Sequence, residues 1–309
     1  MSEISFGHVP VLLKEAVDAL EIKASGIYID CTVGGGGHSL EIARGLDFPK
    51  GRLLCFDRDK QAIEAAKIKL AQYPAEFIND NFINIKNYAT EADGVLMDLG
   101  VSSHQLDSAE RGFSFHEDAP LDMRMSLDQE NISAYDVVNN YSEEDLTRII
   151  FGYGEEKFAR GIVKGIIKAR TDKPVETTGE LAEIIKNNVP LKVRREKNPC
   201  RKTFQAIRIE VNGELDVIKT AIPDAFSLLN KGGRLAVITF HSLEDRLVKN
   251  IFKELTAGCD CPPEFPICTC GKEPKAKLIN RKPITAKEEE LAANIRSRSA
   301  KLRVIEKIR

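Results

Sequence analysis

The 309-residue sequence has no run of about 18 consecutive apolar residues, the length that a membrane-spanning helix needs. Its start, Met1–His8, lacks the basic stretch and apolar segment that are typical of a secretory signal. We therefore expect a cytoplasmic protein with no membrane contact. The sequence also holds no internal repeat and no feature that predicts an oligomeric state. A hydrophobic content of 42% with 30% charged residues is typical of a globular fold.

The sequence also lacks the even number of cysteines that a set of disulfide bonds needs. Seven cysteines in a chain without a secretion signal argue against a disulfide framework. Four of them form two Cys-x-Cys pairs, Cys259 with Cys261 and Cys268 with Cys270, joined by a proline-rich hexapeptide. Four thiolates match the ligand number of a tetrahedral Zn²⁺ site, although their gaps are shorter than those of usual zinc motifs. The alternative is a surface excursion that carries reduced thiols.

An excess of charge of one sign is also absent, because the net charge is −2. The charge is unevenly distributed, however. Residues 272–309 contain 12 Lys or Arg and five Asp or Glu, which gives +7, so residues 1–271 carry −9. A second basic cluster, Lys192–Lys202, holds six Lys or Arg and one Glu. This segregation fits a polyanionic partner, and it equally fits a solvated charged face.

Short β-branched segments alternate with helical patterns over the first hundred residues. Strands are predicted over Ile27–Asp30, Arg52–Asp57, Phe77–Asn79 and Gly94–Leu99, and helices over Ser39–Leu46 and Gln61–Gln72. The second helix is expected to bury Ile63, Ala66, Ile68 and Leu70. The alternation predicts an α/β fold with a doubly wound parallel sheet, in which ligands bind at the carboxyl ends of the strands.

The alternation stops between residues 108 and 213. Helices are predicted there over Glu143–Phe151, Glu156–Ala169, Thr178–Asn187 and Thr203–Asn212. The pattern then resumes with a helix over Leu215–Leu229, a strand over Gly232–Phe240 and a last edge strand over Ala300–Glu306. We therefore expect one discontinuous α/β domain, residues 1–107 and 214–309, with a helical insertion at residues 108–213.

Four glycines, Gly34–Gly37, connect the first strand to the first helix. Glycine permits positive φ and a close approach to a ligand, and the helix N-terminus offers free N–H groups to it. A nicotinamide-binding Gly-x-Gly-x-x-Gly motif would need a third glycine where Ser39 or Leu40 stands. S-adenosylmethionine enzymes of class I use a looser loop after an acid, here Asp30. Asp57, after the second strand, suits the ribose hydroxyls of either cofactor.

Two further strand ends bear on the choice of cofactor. Phe82 either stacks on an adenine or lies as a core aromatic beneath the loop. Asp98 ends the fourth strand, where methyltransferases place an acid near the reactive end of their cofactor and dehydrogenases have no particular need of one. The pattern thus favours a methyltransferase over a dehydrogenase. A non-catalytic RNA-binding factor that uses the basic tail is the third alternative.

Longer motifs resemble one family over almost the whole chain. They are Asp98–Asp107, Arg111–Phe115, Pro120–Met125, His8–Ala16, Arg201–Ala206, Val211–Asn212, Gly232–Leu235, Phe240–Arg246 and Arg296–Arg303. These segments resemble the RsmH (MraW) family of bacterial methyltransferases that act on the RNA of the small ribosomal subunit. The resemblance implies a Rossmann-like class I fold, S-adenosylmethionine as cofactor, and methylation of the exocyclic N4 of a cytidine, position 1402, in 16S rRNA. The helical insertion would then recognise the RNA.

The resemblance also implies a cofactor site. Its residues are Gly36, Gly37, His38, Asp57, Phe82, Asp98 and Gln105. For catalysis we hypothesise that Asp98 or a nearby backbone carbonyl accepts a hydrogen bond from the cytosine amine, with Ser102 or Ser103 assisting.

Several side chains are candidates for contact with the RNA. Phe113 and Phe115, flanked by Arg111, either stack on the splayed cytosine or form a hydrophobic plug. An ion pair between Asp122 and Arg124 is expected to fix the same loop. The basic residues Arg194, Arg195, Arg201 and Lys202 either contact phosphates or form a solvated loop before the helix at Thr203. His241 either contacts the substrate or caps the next helix together with Ser242.

Overall fold

The computed structural model describes residues 10–101, 109–126, 132–196, 198–258, 261 and 270–309. The chain divides into two compact units. The α/β unit consists of Met1–Gly100 together with Leu215–Arg309, and the helical unit is Val101–Glu214. The α/β fold class expected from the alternating pattern is confirmed. For comparison, the helical insertion was predicted over residues 108–213.

One sheet forms the centre of the α/β unit. Its strands are β1 (Ile27–Asp30), β2 (Arg52–Phe56), β3 (Glu76–Ile78), β4 (Ala92–Asp98), β5 (Leu229–Thr239), β6 (Ala276–Leu278) and β7 (Lys301–Lys307). The strand order is β3-β2-β1-β4-β5-β7-β6. Strands β1 to β5 are parallel, so their carboxyl ends share one edge of the sheet. The order reverses between β1 and β4, and ligands of such sheets bind in the crevice at this point.

The position of the C-terminal strand corrects the sequence prediction. A last edge strand was expected, but β7 pairs antiparallel with β5 on one side and with β6 on the other. Ile284 forms a further bridge to Leu302 on the outer side. The three-residue β6 is too short to produce a recognisable periodicity. As a result, β7 is an interior strand, and Leu302 and Val304 are fully buried.

Helices cover both faces of this sheet, as a doubly wound fold requires. In the α/β unit they are α1 (Leu13–Leu20), α2 (Gly37–Arg44), α3 (Lys60–Lys69), α10 (Glu214–Leu228), α11 (Ser242–Thr256) and α12 (Glu288–Ala293). The first residue of α10, Glu214, is assigned to the helical unit. Alternate residues of each strand point to opposite faces: Tyr28 and Leu53 pack with α1, α2 and α3, whereas Ile29 and Leu54 pack with α10 and α11. Helices α1 and α12 are absent from the sequence prediction, and α11 was expected there only as the helix that His241 could cap.

The helical unit has a core of its own. Its helices are α4 (Ala134–Asn140), α5 (Glu143–Gly152), α6 (Ala159–Asp172), α7 (Thr178–Asn187), α8 (Leu191–Glu196) and α9 (Cys200–Asn212). Ile149, Ile162 and Leu181 are among its fully buried residues. Capping boxes start α4 at Ser133 and α7 at Thr177, so each helix begins where a hydroxyl satisfies an unpaired backbone N–H. No helix in the described ranges combines the length and the apolar character needed to cross a bilayer.

Helix α3 shows where the predicted periodicity is wrong. Ile63, Ala66 and Leu70 are buried as expected, but Ile68 is 80% exposed. The first three positions are spaced by three and four residues and share one face, whereas Ile68 lies five residues after Ile63 and points away from it.

This difference predicts contrasting effects on stability. Ile63→Ala leaves a cavity under α3 and should lower the free energy of unfolding by about 2–5 kcal/mol. Ile68→Ala truncates an exposed side chain and should change it by less than about 0.5 kcal/mol. Denaturant titration of both variants measures the difference, and equal losses of stability would show that the assigned burial is wrong.

Candidate functional site

The glycine loop between β1 and α2 needs glycine at defined positions. Gly34 and Gly36 have φ angles of +48° and +74°, in the left-handed region that favours glycine. A Cβ atom on Gly36 would lie 2.8 Å from Leu70 Cδ1, and one on Gly37 would overlap the ring of Pro10. The loop therefore packs so tightly against Leu70 and Pro10 that neither position has room for a side chain.

Carboxylates at the ends of β1 and β2 hold this loop. Asp30 is fully buried and accepts hydrogen bonds from Thr32 N at 3.1 Å and from Ser39 Oγ at 2.6 Å. Asp57 accepts from Gly34 N at 3.0 Å and from Asp59 N at 2.9 Å. The two acids thus fix both ends of the loop and its first glycine. The sequence prediction missed the hydroxyl residues here, whose available signal was their position at either end of the glycine run.

Asp98 ends β4 and faces the same edge of the sheet. Its backbone N donates to Thr32 Oγ1 at 2.8 Å, which connects β4 to the glycine loop. Its Oδ1 atom is buried and has no hydrogen-bond partner among the residues that the structure describes. The Asp98 side chain as a whole is 24% exposed. A buried acceptor without a partner is costly, so a donor or cation that reached Oδ1 would be bound favourably.

Burial controls the protonation of these acids. It raises the pKa of Asp30 and of Asp57 to about 6, against the opposing effect of their hydrogen bonds. Burial also raises the pKa of Asp98 well above its ordinary value, and the negative charges of Asp30 and Glu244 raise it further. These three acids therefore keep their protons to a higher pH than free carboxyl groups do.

His38, in the first turn of α2, is 5% exposed. Its Nε2 atom lies 3.1 Å from the Val11 carbonyl oxygen, and its Nδ1 atom lies 3.8 Å from Asp98 Oδ2. Burial lowers the pKa of His38 to about 4, so the imidazole is neutral near pH 7. Because a carbonyl only accepts, Nε2 carries the proton and Nδ1 presents a lone pair toward Asp98.

Phe82 begins a 3₁₀ helix, Phe82–Asn87, after β3. It is partly buried against the core between the sheet and helices α10 and α11. Phe82 therefore packs as a core aromatic through its buried part, as one of the two alternatives predicted. Its stacking on an adenine stays a prediction.

Several predicted residues lie outside the described part of the chain. Ser102, Ser103 and Gln105 do so, and so do Cys259 and Cys268. Of the other two cysteines, Cys261 is partly buried and Cys270 is exposed, with Sγ accepting from Lys272 N at 3.5 Å. The zinc site therefore stays a prediction.

Two predicted RNA contacts have structural roles inside the helical unit. Arg111 is 9% exposed and donates through Nη2 to the carbonyls of Arg124 and Met125, at 2.9 and 3.1 Å. Phe113 is 7% exposed and belongs to the core of the unit. Both side chains are committed to packing and backbone contacts, so their assignment to RNA is corrected.

The neighbouring residues keep the loop in place and leave one aromatic candidate. The predicted ion pair between Asp122 and Arg124 is confirmed, with a shortest N–O distance of 2.7 Å. Asn212 accepts from Met125 N at 2.9 Å. Phe115 is only partly buried and contacts Phe204 edge-on, at 5.4 Å between ring centroids. Phe115 therefore stays a candidate for stacking.

The basic cluster lies on α8 and on the first turn of α9. Arg195 and Arg201 are exposed. Lys202 is also exposed and donates to the Glu155 carbonyl at 2.7 Å, whereas Arg194 is partly buried and donates to the Val189 carbonyl at 3.3 Å. The helix starts at Cys200 and not at Thr203, so Arg201 and Lys202 are helical residues and not part of a preceding loop.

His241 is the N-cap residue of α11. Its Nδ1 atom accepts from Glu244 N at 3.4 Å, while Glu244 Oε2 accepts from His241 N at 3.1 Å and from Phe240 N at 2.8 Å. The capping alternative is thus confirmed for His241, although Ser242 is the first helical residue and not the cap. Contact between His241 and a substrate stays a prediction.

The sheet order, the glycine loop and the acids at the strand ends define a class I, Rossmann-like methyltransferase. The chain belongs to the MraW methylase family, whose family model matches residues 5–308. It is 56% identical to ribosomal RNA small subunit methyltransferase H of Clostridium botulinum strain 657, over 99% of this chain and all of that protein. It is 55% identical to the protein of the same name from Clostridioides difficile strain 630, with the same coverage. A solved Streptococcus mutans methyltransferase in complex with SAH aligns over 97% of this chain and 99% of its own, at 15% identity and a TM-score of 0.46.

The glycine geometry predicts a position-specific effect. Gly36→Ala should lower the free energy of unfolding by about 1–2 kcal/mol for the left-handed backbone alone, and by more because the new methyl group contacts Leu70. Gly35→Ala is the matched control, since Gly35 does not have a positive φ. Equal losses of stability for the two variants in denaturant titrations would contradict the assigned loop conformation.

Proposed function

We propose that this protein transfers the methyl group of S-adenosylmethionine to the exocyclic N4 of the cytidine at position 1402 of 16S rRNA, in the small ribosomal subunit. The proposed reaction takes place in the cytoplasm, where this substrate is found. Family membership and relatives named as methyltransferases of small-subunit ribosomal RNA support the RNA substrate. The observation that carries the reaction is the Asp98 side chain at the end of β4, which is partly exposed and whose buried Oδ1 atom has no hydrogen-bond partner among the described residues.

The residues around the glycine loop fit S-adenosylmethionine. The N-terminus of α2, which begins at Gly37, offers free N–H groups to a carboxylate. Gly36 and Gly37 are required there because the loop packs tightly against Leu70 and Pro10. Asp57 already accepts two backbone N–H groups, and its two oxygens retain lone pairs for ribose hydroxyls. Phe82 adds an aromatic surface near the end of β3. S-adenosylmethionine, when bound, supplies a methyl group that is already activated on a sulfonium.

The chain's own contribution to the chemistry is positioning and hydrogen bonding at Asp98. The amine of cytosine is a poor nucleophile because its lone pair is delocalised into the ring. An acceptor that holds an N4 hydrogen favours a pyramidal nitrogen, whose lone pair is then available for attack. We assign this role to Asp98 or to a nearby backbone carbonyl, with Ser102 or Ser103 assisting. Alignment of nitrogen, methyl carbon and sulfur would supply most of the acceleration.

The helical unit supplies the candidates for RNA binding. Arg195 and Arg201 are exposed on α8 and α9, and arginine is well suited to phosphate contact. Phe115 is the aromatic candidate for stacking on a base that has left its helix.

Methyl transfer from labelled S-adenosylmethionine to purified small-subunit particles and to naked 16S rRNA tests the proposal. We expect label in N4-methylcytidine after digestion of the RNA to nucleosides. Label in another nucleoside would contradict the N4 assignment. Binding of NAD in a fluorescence titration, without any methyl transfer, would favour the dehydrogenase alternative.

The raised pKa of Asp98 predicts a pH-dependent preference between two ligands. S-adenosylmethionine carries a positive sulfonium, whereas S-adenosylhomocysteine does not. As pH rises toward the raised pKa of Asp98 in the free protein, the bound sulfonium increasingly favours the ionised carboxylate, so the affinity for S-adenosylmethionine relative to S-adenosylhomocysteine should increase and then level off above that pKa. The increase should approach about tenfold per pH unit at most, which corresponds to one linked proton.

Calorimetric titrations with both ligands over a range of pH check this dependence. Asp98→Asn should abolish it and should lower the turnover on the order of a hundredfold. If Asp98→Asn kept the pH-dependent preference or full turnover, Asp98 would not have the proposed role.

The basic cluster predicts an effect on RNA affinity alone. The double variant Arg195→Gln, Arg201→Gln should bind 16S rRNA more weakly, and the slope of log affinity against log salt should fall by about 0.7–0.9 for each phosphate that is no longer neutralised. Arg160→Gln, an exposed arginine of the same unit outside the cluster, is the control. An unchanged salt slope in filter-binding measurements would show that these arginines do not contact phosphates and are only solvated.

A further inference from the structure

A hydrogen bond joins two parts of the α/β unit that are distant in sequence. Glu290 Oε1, in α12, accepts from the backbone N of Leu12 at 2.8 Å, across 278 positions of the chain. Leu12 is fully buried, has a φ of +53° and is the N-cap residue of α1, where no side chain provides a cap. Glu290 thus satisfies a backbone donor in an unusual conformation that the first turn of α1 leaves unpaired.

The same peptide group reaches the proposed cofactor site. The Leu12 N–H and the Val11 carbonyl belong to one peptide unit, and the Val11 oxygen accepts from His38 Nε2 at 3.1 Å. A carboxylate at the N–H end of a peptide polarises it and makes its carbonyl a stronger acceptor. The chain of contacts runs from Glu290 through this peptide to His38, whose Nδ1 atom lies 3.8 Å from Asp98 Oδ2.

We propose that Glu290 is a positioning residue of the methyltransferase site: through the Val11–Leu12 peptide it fixes the Nε2-protonated tautomer and the orientation of His38, with the lone pair of Nδ1 toward Asp98. The tautomer follows from these hydrogen bonds alone. Its consequence for cofactor affinity rests on the proposed function.

A neighbouring ion pair provides a matched control. Lys287, the N-cap residue of α12, lies 3.3 Å from Glu15 in the first turn of α1. This pair joins the same two elements but does not touch the Val11–Leu12 peptide. Lys287→Ala therefore removes a link between α12 and α1 while leaving the path from Glu290 to His38 intact.

The test combines a spectroscopic readout with ligand binding. NMR of ring ¹⁵N-labelled histidine, with the His38 signals assigned by their loss in His38→Asn, reports which nitrogen carries the proton. In the unsubstituted protein and in Lys287→Ala we expect the proton on Nε2. Glu290→Ala should broaden or shift this signature and weaken S-adenosylhomocysteine binding by about tenfold. Glu290→Gln keeps an acceptor oxygen and should restore both properties.

The outcomes separate the inference from the proposed function. A His38 proton on Nδ1 in the unsubstituted protein, or an Nε2 signature unchanged by Glu290→Ala, would overturn the inference. If Glu290→Ala and Lys287→Ala changed the His38 signature and the S-adenosylhomocysteine affinity equally, Glu290 would only connect α12 to α1. This result would also overturn the inference. If Glu290→Ala does not fold, Glu290→Asp, whose carboxylate is one methylene short, takes its place. Absence of S-adenosylhomocysteine binding by the unsubstituted protein contradicts the proposed function and leaves the tautomer result standing.

Discussion

Three carboxyl groups, one fully buried and two partly buried, at the carboxyl edge of the parallel strands determine the organisation of this protein. Asp30, Asp57 and Asp98 end β1, β2 and β4, where water cannot solvate their charges fully, so the pKa of each is raised. Burying a carboxylate is costly unless hydrogen-bond donors compensate for the missing water. The glycine loop provides these donors to Asp30 and Asp57 through Thr32, Gly34 and Ser39. The loop is therefore shaped by the acids that it satisfies.

Asp98 differs from the other two acids in what surrounds its side chain. Its backbone is tied to Thr32, but Oδ1 has no partner within the described residues, and His38 Nδ1 is too distant for a hydrogen bond. A group in this state is stabilised by a positive ligand or by an external donor. In the proposed reaction both are supplied, by a sulfonium and by the amine of cytosine. Because the Asp98 carboxyl group is poorly solvated in the free protein, it gains more from these two partners than a solvated carboxylate would. This gain favours selective binding of the reactants.

The sequence predicted the parts that rest on local pattern and missed those that rest on long-range contacts. The strand–helix alternation located the strand ends, and with them Asp30, Asp57 and Asp98, because side-chain alternation and glycine runs are local signals. The short β6 and the interior position of β7 depend on pairing between distant segments. The same holds for Arg111, whose contacts with the Arg124 and Met125 carbonyls have no local signal, whereas the hydrophobic-plug alternative already allowed for the packing of Phe113. The hydrogen bond between Glu290 and Leu12 spans most of the chain and has no local signal.

The protonation of Asp98 can be measured by ¹³C NMR of carboxyl-labelled aspartate, with the signal assigned by its loss in Asp98→Asn. In the free protein we expect the Asp98 carboxyl group to titrate well above the ordinary pKa of 3.8. Saturation with S-adenosylmethionine should shift that titration to lower pH, whereas S-adenosylhomocysteine should shift it much less. An Asp98 that titrates at the ordinary value in the free protein, or that responds equally to both ligands, would contradict the account.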